Sequence, residues 1–465
     1  MATVPHSKPK TGFLDRLIAM GKQNRPERIE IRIAPLAGAA GPHIDRHLLE
    51  AFENDPQTGA KTGTKIRTKI RARPLHETIG FTSTDPEPKT FTETILQARA
   101  ALEQTKADLL IWGEAAATGT TMVLRFVSAV PAEFDQFGFF GLQTELHLPV
   151  DFDANLADLL LAISLAAISP KTDGKALTLN EALPAAIETA MGHLQNLPAG
   201  ITSRERASVQ LCFGNAIAGV AAQQNNHEFH QLAVSLYQNA LTTLTAADHP
   251  FDWALTHLNL AACLQTIAER SDDLATLEAG INACEAALSV FNGSDQGMLW
   301  ATAQNRLGIL LYKMDLQAGD PEMLKKSLNA YQAALKVYSR TETPRLWADV
   351  MNNFAQAALV LGKQMHNPDV LKKAANACHS TLHIRNKNDT PMLWAATQNN
   401  LGSALFMLGE MTDDIATLQG AMDAFTQALG VYEDRNASRM VTVTKKNREH
   451  VKRLIEERGG LHILK

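Results

Sequence analysis

The chain has 465 residues, of which 45% are hydrophobic and 20% are charged, a composition typical of a soluble globular protein with more than one core. Its formal charge of −5 is unevenly distributed, because residues 1–80 hold 14 Lys and Arg against 8 Asp and Glu, whereas the remainder is acidic. The longest apolar run, Leu159–Ile168, is about half the length that spans a bilayer. The composition therefore argues against a membrane-spanning protein and predicts a basic head on an acidic body.

Residues 1–27 are predicted to be a basic tail or a short amphipathic helix. Their apolar stripe is too short, and too interrupted by Asp15 and Arg16, for a secretory signal. The stripe could rest on an anionic membrane surface or dock into the protein's own groove, or the segment could be a disordered tail; these alternatives stay open. The stripe consists of Phe13, Leu14, Leu17, Ile18 and Met20.

Residues 28–150 are predicted to form a small α/β domain. Strands are expected over Ile29–Pro35, Lys65–Arg73, Ala107–Glu114 and Thr121–Val127, with a helix after each of the first two. The β-α-β-α-β-β order and the Ala-Asp-hydrophobic-Gly segment at 107–113 resemble the small domain at the amino end of the Tol-system propeller protein. The resemblance implies a module used for partner contact, and no chemistry. We expect this domain to serve localisation or homo-oligomerisation.

Five basic residues occur at alternate positions of the second predicted strand, so their side chains are expected on one face: Lys65, Arg67, Lys69, Arg71 and Arg73. Such a face suits the phosphates of nucleic acid or of lipid headgroups. The alternatives are a solvated face, or an edge strand whose charges prevent aggregation.

A 47-residue repeat organises the rest of the chain. Trp253, Trp300, Trp347 and Trp394 stand 47 residues apart, each followed by Ala. The offset extends to Arg206 and Val441, which predicts five helix pairs over 206–440 and a capping helix with a tail over 441–465. Residues 151–205 are expected to be a helical connector or a degenerate repeat. The tryptophans are expected to pack as a structural spine.

Recurrent polar residues mark where each second helix begins. Asp273, Asp320, Asn367 and Asp414 share one repeat position, where a short side chain caps a helix amino terminus. Pro321 and Pro368 follow, as expected for the first helical turn.

Small and large residues alternate between the two helices of a pair. Leu401-Gly402 with Ala421, Phe425 and Ala428 resembles the tetratricopeptide repeat, although the period is longer than that family's 34 residues. The expected fold class is an α+β amino-terminal domain followed by an all-α, tetratricopeptide-like superhelical solenoid. The resemblance implies a groove lined by the first helices of the pairs.

Polar residues recur in the middle of the first helices, where helix propensity does not explain them. The resemblance places them in the groove: Asn305, Asn352 and Asn399 at one position, and Asn259, Arg306, Asn353 and Asn400 at the next. An amide there can pair with an extended peptide backbone. The alternative is a structural hydrogen bond to the adjacent repeat. Arg306 and Asp349 are expected to add a charge preference.

The function expected is that of a non-enzymatic adaptor that binds a protein or peptide in the groove. His227 and His230 lack the HExxH spacing, and no motif indicates catalysis, a metal or a cofactor. The alternative is a regulator that binds nucleic acid or anionic lipid through the basic strand. The four cysteines are expected to be buried thiols, so the chain is predicted to be cytoplasmic, with peripheral attachment at the inner face of the membrane as the alternative. They are Cys212, Cys263, Cys284 and Cys378.

Overall fold

The computed structural model describes residues 25–37, 41–53, 69–79, 88–116, 119–194, 196–271 and 273–463. Internal contacts divide the chain into two compact units, Met1–Cys263 and Leu264–Lys465. The first unit contains a five-stranded sheet with its helices, and the second is built from helices that pack consecutively. The expected class, an amino-terminal α/β region followed by an α-helical solenoid, is confirmed.

The sheet has the strand order β2-β1-β3-β4-β5. β1 pairs in parallel with β2 and β3, and the β3–β4 and β4–β5 pairs are antiparallel. The predicted order is confirmed for the first four strands, and the four-residue β5 is added at the edge. The elements are β1 (Ile29–Ile33), α1 (Gly41–Glu50), β2 (Ile70–Pro74), α2 (Pro88–Thr105), β3 (Leu109–Ala115), β4 (Thr121–Ser128) and β5 (Leu146–Pro149).

Helix α2 packs against one face of the sheet. Ala98 and Leu102 of α2 share a buried cluster with Leu110 and Trp112 of β3 and with Val127 of β4. This packing follows from alternation along the strands, because every second side chain points to the same face.

The helices that follow the sheet form pairs from residue 203 onwards. First helices are α5 (Ser203–Gln224), α7 (Pro250–Ser271), α9 (Gly297–Ala318), α11 (Pro344–Gln364) and α13 (Pro391–Thr412). Second helices are α6 (His227–Leu241), α8 (Leu274–Leu288), α10 (Pro321–Ala334), α12 (Pro368–Leu382) and α14 (Ile415–Asp434). Helices α3 (Ala154–Ala166) and α4 (Asp173–Leu194) precede them, and α15 (Ser438–Ile463) closes the second unit. The division between the units lies within α7.

The predicted helix caps are confirmed. Asp273, Asp320, Asn367 and Asp414 each accept a hydrogen bond from a backbone N–H of the second helix that follows. Each such cap contributes about 1 kcal/mol. The caps explain why the second helices begin where the sequence predicted.

Glycine and a large ring are matched within alternate pairs. A Cβ added to Gly308 would lie 2.6 Å from the Tyr331 ring, and one on Gly402 would lie 2.8 Å from the Phe425 ring. In the pair between them, Ala355 and Cys378 share a buried cluster at the equivalent positions. A smaller residue on the second helix thus accompanies a larger one on the first, which keeps the packing dense.

The repeated tryptophans of the second unit lie half-buried beside the cores. Trp300 and Trp347 pack against the cluster that contains Tyr331, and Trp394 packs against another around Tyr432. Among the helices of the described ranges, none combines the length and apolar character needed to cross a membrane.

Candidate peptide-binding surface

In the first unit, a segment between β4 and β5 lies directly on helix α5. Gly138 adopts φ +64°, and a Cβ there would come within 1.9 Å of the backbone oxygen of Asn215. Only glycine allows this approach without strain. Phe139 and Phe140 are buried, 6% and 9% exposed. The segment Phe134–Gly141 is therefore seated on a first helix by close backbone contact.

Two asparagines hold this segment by its backbone. The amide nitrogens of Asn215 on α5 and Asn259 on α7 both donate to the carbonyl oxygen of Phe139, at 3.3 and 3.2 Å. The side-chain oxygen of Asn215 accepts from the Tyr237 hydroxyl and from Asn259, each at 3.0 Å. The oxygen is thus held by the helices, which directs the amide nitrogen towards the bound segment. Asn259 has the backbone partner predicted for a groove residue, supplied here by the chain itself.

Asn215 was not predicted from the sequence. It stands three residues beyond the second of the two recurrent asparagine positions, in Phe213-Gly214-Asn215. The available signal was an amide in the middle of an otherwise apolar helix, directly after the packing glycine.

In the second unit, three equivalent asparagines on α9, α11 and α13 form what we call the amide row: Asn305, Asn352 and Asn399. Each side-chain oxygen accepts a hydrogen bond from the next first helix or from α15. The donors are Asn353 to Asn305 at 3.4 Å, Asn400 to Asn352 at 3.1 Å and the Thr444 hydroxyl to Asn399 at 3.0 Å. The row therefore joins neighbouring repeats, as the structural alternative predicted.

The amide row also retains donors. Within the described ranges, the Nδ2 groups of Asn305, Asn352 and Asn399 have no hydrogen-bond partner. Asn305 and Asn399 are partly exposed, whereas Asn352 is 7% exposed. In each of the three, as in Asn215, the side-chain oxygen is hydrogen-bonded to another helix, and the amide nitrogen remains able to donate to a ligand. The two interpretations of these asparagines are thus compatible.

The structure places the two charged groove candidates in internal contacts. Arg306 is 8% exposed, and its Nη1 donates to Gln265 Oε1 at 3.4 Å. Asp349 Oδ1 accepts from Arg385 Nη2 at 2.6 Å, and Asp349 Oδ2 accepts from Arg345 at 3.2 Å. The expected charge preference of the groove therefore has little support, because both side chains have partners within the fold.

The basic strand is only partly described. Lys65 and Arg67 lie outside the described residues, and β2 begins at Ile70 as an edge strand. Lys69 forms an ion pair with Glu181, and Arg71 lies 3.7 Å from Glu30. Arg73 is exposed. Two of the three described cations thus have acidic partners, and the edge position agrees with protection against aggregation.

A charged network that the sequence did not reveal joins β4 and β5 to helices α5 and α7. Glu145 is its centre: it pairs with Arg125, accepts from His147 at 2.9 Å and lies 3.5 Å from Arg204. Arg204 also donates to Asp252 at 2.8 Å. Apart from Glu145 and His147, the paired residues lie far apart in the chain, so no local motif indicated the network.

The carboxyl groups of this network have opposite pKa shifts. Burial favours a higher pKa for Glu145, but the hydrogen bond from His147 and the charges of Arg125 and Arg204 lower it to about 2. Burial raises the pKa of Asp252 to about 6, which outweighs the attraction of Arg204. The network thus combines a firmly ionised Glu145 with an Asp252 that titrates near neutrality.

Across the described ranges, no group of three or more His, Cys, Asp or Glu is placed to hold a metal ion. The four cysteines are buried free thiols. No known family model matches this chain, and no curated protein matches it in sequence.

Proposed function

We propose that this protein is an adaptor that holds an extended segment of a partner protein along the amide row of α9, α11 and α13. The observation that carries the proposal is the segment Phe134–Gly141, whose backbone carbonyl at Phe139 accepts from Asn215 and Asn259. This contact supports the proposal, because it is a backbone carbonyl that the asparagines of two first helices hold there.

The amide row offers the same chemistry at three successive repeats. Its Nδ2 groups are donors suited to the carbonyl oxygens of an extended backbone, a recognition mode that tolerates many side chains. Partly buried apolar residues lie one turn further along the same helices at Ile309, and two turns further at Tyr312 and Phe406. We therefore expect a partner segment with apolar or aromatic side chains between its backbone contacts.

The resemblance to tetratricopeptide proteins supports a binding role without catalysis. We assign localisation or self-association to the amino-terminal α/β region. Four buried free thiols support a reducing compartment, so we place the protein in the cytoplasm.

Photocrosslinking tests where the partner binds. A crosslinking amino acid at Gln356 on α11, the position equivalent to Asn215, should capture a protein that the same group at exposed Lys373 on α12 does not. Capture of the same proteins from both positions would contradict the proposal.

Affinity measurements with the purified captured partner then test the donors. Asn305→Asp with Asn399→Asp keeps both acceptor oxygens but replaces both amide donors, so the helix ties remain while backbone recognition is lost. We expect partner affinity to fall by about 1–2 kcal/mol. The control Asn353→Ala removes one tie to Asn305 and leaves the amide row donors in place. Unchanged affinity in the Asp variant with normal folding would overturn the assignment.

A further inference from the structure

A groove lies on the second unit between second helices α8 and α10, with α9 as its floor. Its volume is about 800 Å³, in the range of ligand-binding clefts. Its apolar surface combines three residues of α9 with three of the flanking helices: Leu307, Leu311, Met314, Leu274, Ile281 and Met323. Leu274 is 48% exposed. Methionine side chains adapt their shape to a bound apolar surface, so the groove suits the apolar side chains of a partner protein.

The two walls of the groove carry opposite charges. Glu278 and Glu285 line the α8 wall, and Lys326 lines the α10 wall. All three side chains are exposed, and none forms an ion pair within the described residues of this unit. Glu278 and Glu285 lie two helical turns apart, about 10 Å. The α8 wall therefore presents two unneutralised carboxylates along one edge.

These carboxylates depart from the repeat. The positions equivalent to Glu278 and Glu285 hold Lys325 and Gln332 in α10, Lys372 and His379 in α12, and Gln419 and Thr426 in α14. Since helices at the same place in the fold form without acidic residues there, the two carboxylates are not required by helix packing. Their charge is a property of this groove.

We propose that the groove binds an amphipathic helix of a partner protein, with its apolar side on α9 and Lys or Arg side chains facing Glu278 and Glu285. Two helix walls with an apolar floor between them fit the helix-in-groove mode of recognition. Lys326 on the opposite wall repels basic side chains. It therefore favours the orientation in which the basic edge of the bound helix faces α8. The lining of α8 from Leu274 to Glu285 spans about 17 Å, enough for a bound helix of roughly three turns. This site is separate from the amide row.

Two designed peptides, used with the full-length protein, test whether the groove prefers a basic helix. Both are helical, about 15 residues long and carry the same leucine stripe; one has lysines along one edge, and the other has glutamates at those positions. Fluorescence anisotropy should show binding of the basic peptide about tenfold tighter than that of the acidic peptide, with the difference reduced by salt. No binding of the basic peptide, or equal affinities, would overturn the proposal.

Charge-reversal variants locate the site. Glu278→Lys with Glu285→Lys should invert the preference towards the acidic peptide. The control Glu410→Lys with Asp423→Lys changes the net charge equally at exposed positions outside the groove, and it should retain the original preference. Circular dichroism checks that both variants remain helical. A preference that survives reversal of Glu278 and Glu285, or that is lost equally in the control, would overturn the assignment.

Discussion

We predict that Arg385 and Asp349 can be replaced together, without loss of stability, by the residues at the equivalent positions of the preceding helix pair. Replacing either residue alone should destabilise the protein. In the preceding pair the equivalent positions hold Tyr338 and Thr302, whose hydroxyl groups lie 2.7 Å apart. The ion pair between Arg385 and Asp349 occupies the same place. We therefore predict that Arg385→Tyr combined with Asp349→Thr forms a neutral hydrogen bond there and leaves the protein folded.

The two single substitutions should lower the free energy of unfolding by different amounts. Asp349→Thr leaves a guanidinium group that is 7% exposed without its carboxylate, which costs about 3 kcal/mol. Arg385→Tyr leaves Asp349, which is 30% exposed and still paired with Arg345, so the cost is about 1 kcal/mol. The double variant should lie close to the unmodified protein, which corresponds to a coupling energy of about 4 kcal/mol.

Denaturant unfolding of the unmodified protein and the three variants, followed by circular dichroism, measures the cycle. Additive costs in the double variant would refute the equivalence of the two pairs. An Asp349→Thr variant as stable as the unmodified protein would refute the burial argument.

Two further predictions concern packing and pH. Gly308→Ala should destabilise the protein by about 1–2 kcal/mol in thermal unfolding, because the new Cβ lies 2.6 Å from the Tyr331 ring. Adding Tyr331→Cys should remove this penalty, so that Gly308→Ala becomes stabilising in the Tyr331→Cys background; a persistent penalty would contradict the packing explanation. Burial raises the pKa of Asp252 to about 6, so its contribution to stability is fully present below about pH 4 and is lost as pH rises through 6, by about 3 kcal/mol. Urea unfolding from pH 4 to 8 should show this loss in the unmodified protein but not in Asp252→Asn, and parallel pH profiles would contradict it.

Features that depend on nearby residues were predictable. The cap at Asp273 serves amide groups two and three residues away, so its role could be inferred from its place in the repeat. Gly308 and Tyr331 lie 23 residues apart within one repeat, and their recurrence as Gly402 and Phe425 indicated a contact.

Features that join distant segments were not predictable. Phe139 is 76 residues from Asn215 and 120 from Asn259, and neither spacing follows the repeat. Glu145 and Arg204 are 59 residues apart, so their ion pair left no local pattern. Asp349 looked like a groove charge because its buried partner, Arg385, occupies a position where other pairs hold Tyr338 or Tyr432.

By itself the sequence determined the helix pairs, their caps and the positions of the recurrent asparagines. Periodic burial and local hydrogen bonding act over one or two turns, or recur at 47 residues, and both leave a pattern along the chain. Only the tertiary structure decided which atom of each asparagine is engaged and what lies on the first helices. A carboxamide carries a donor and an acceptor on one small group, and the partner that holds the oxygen determines where the nitrogen points.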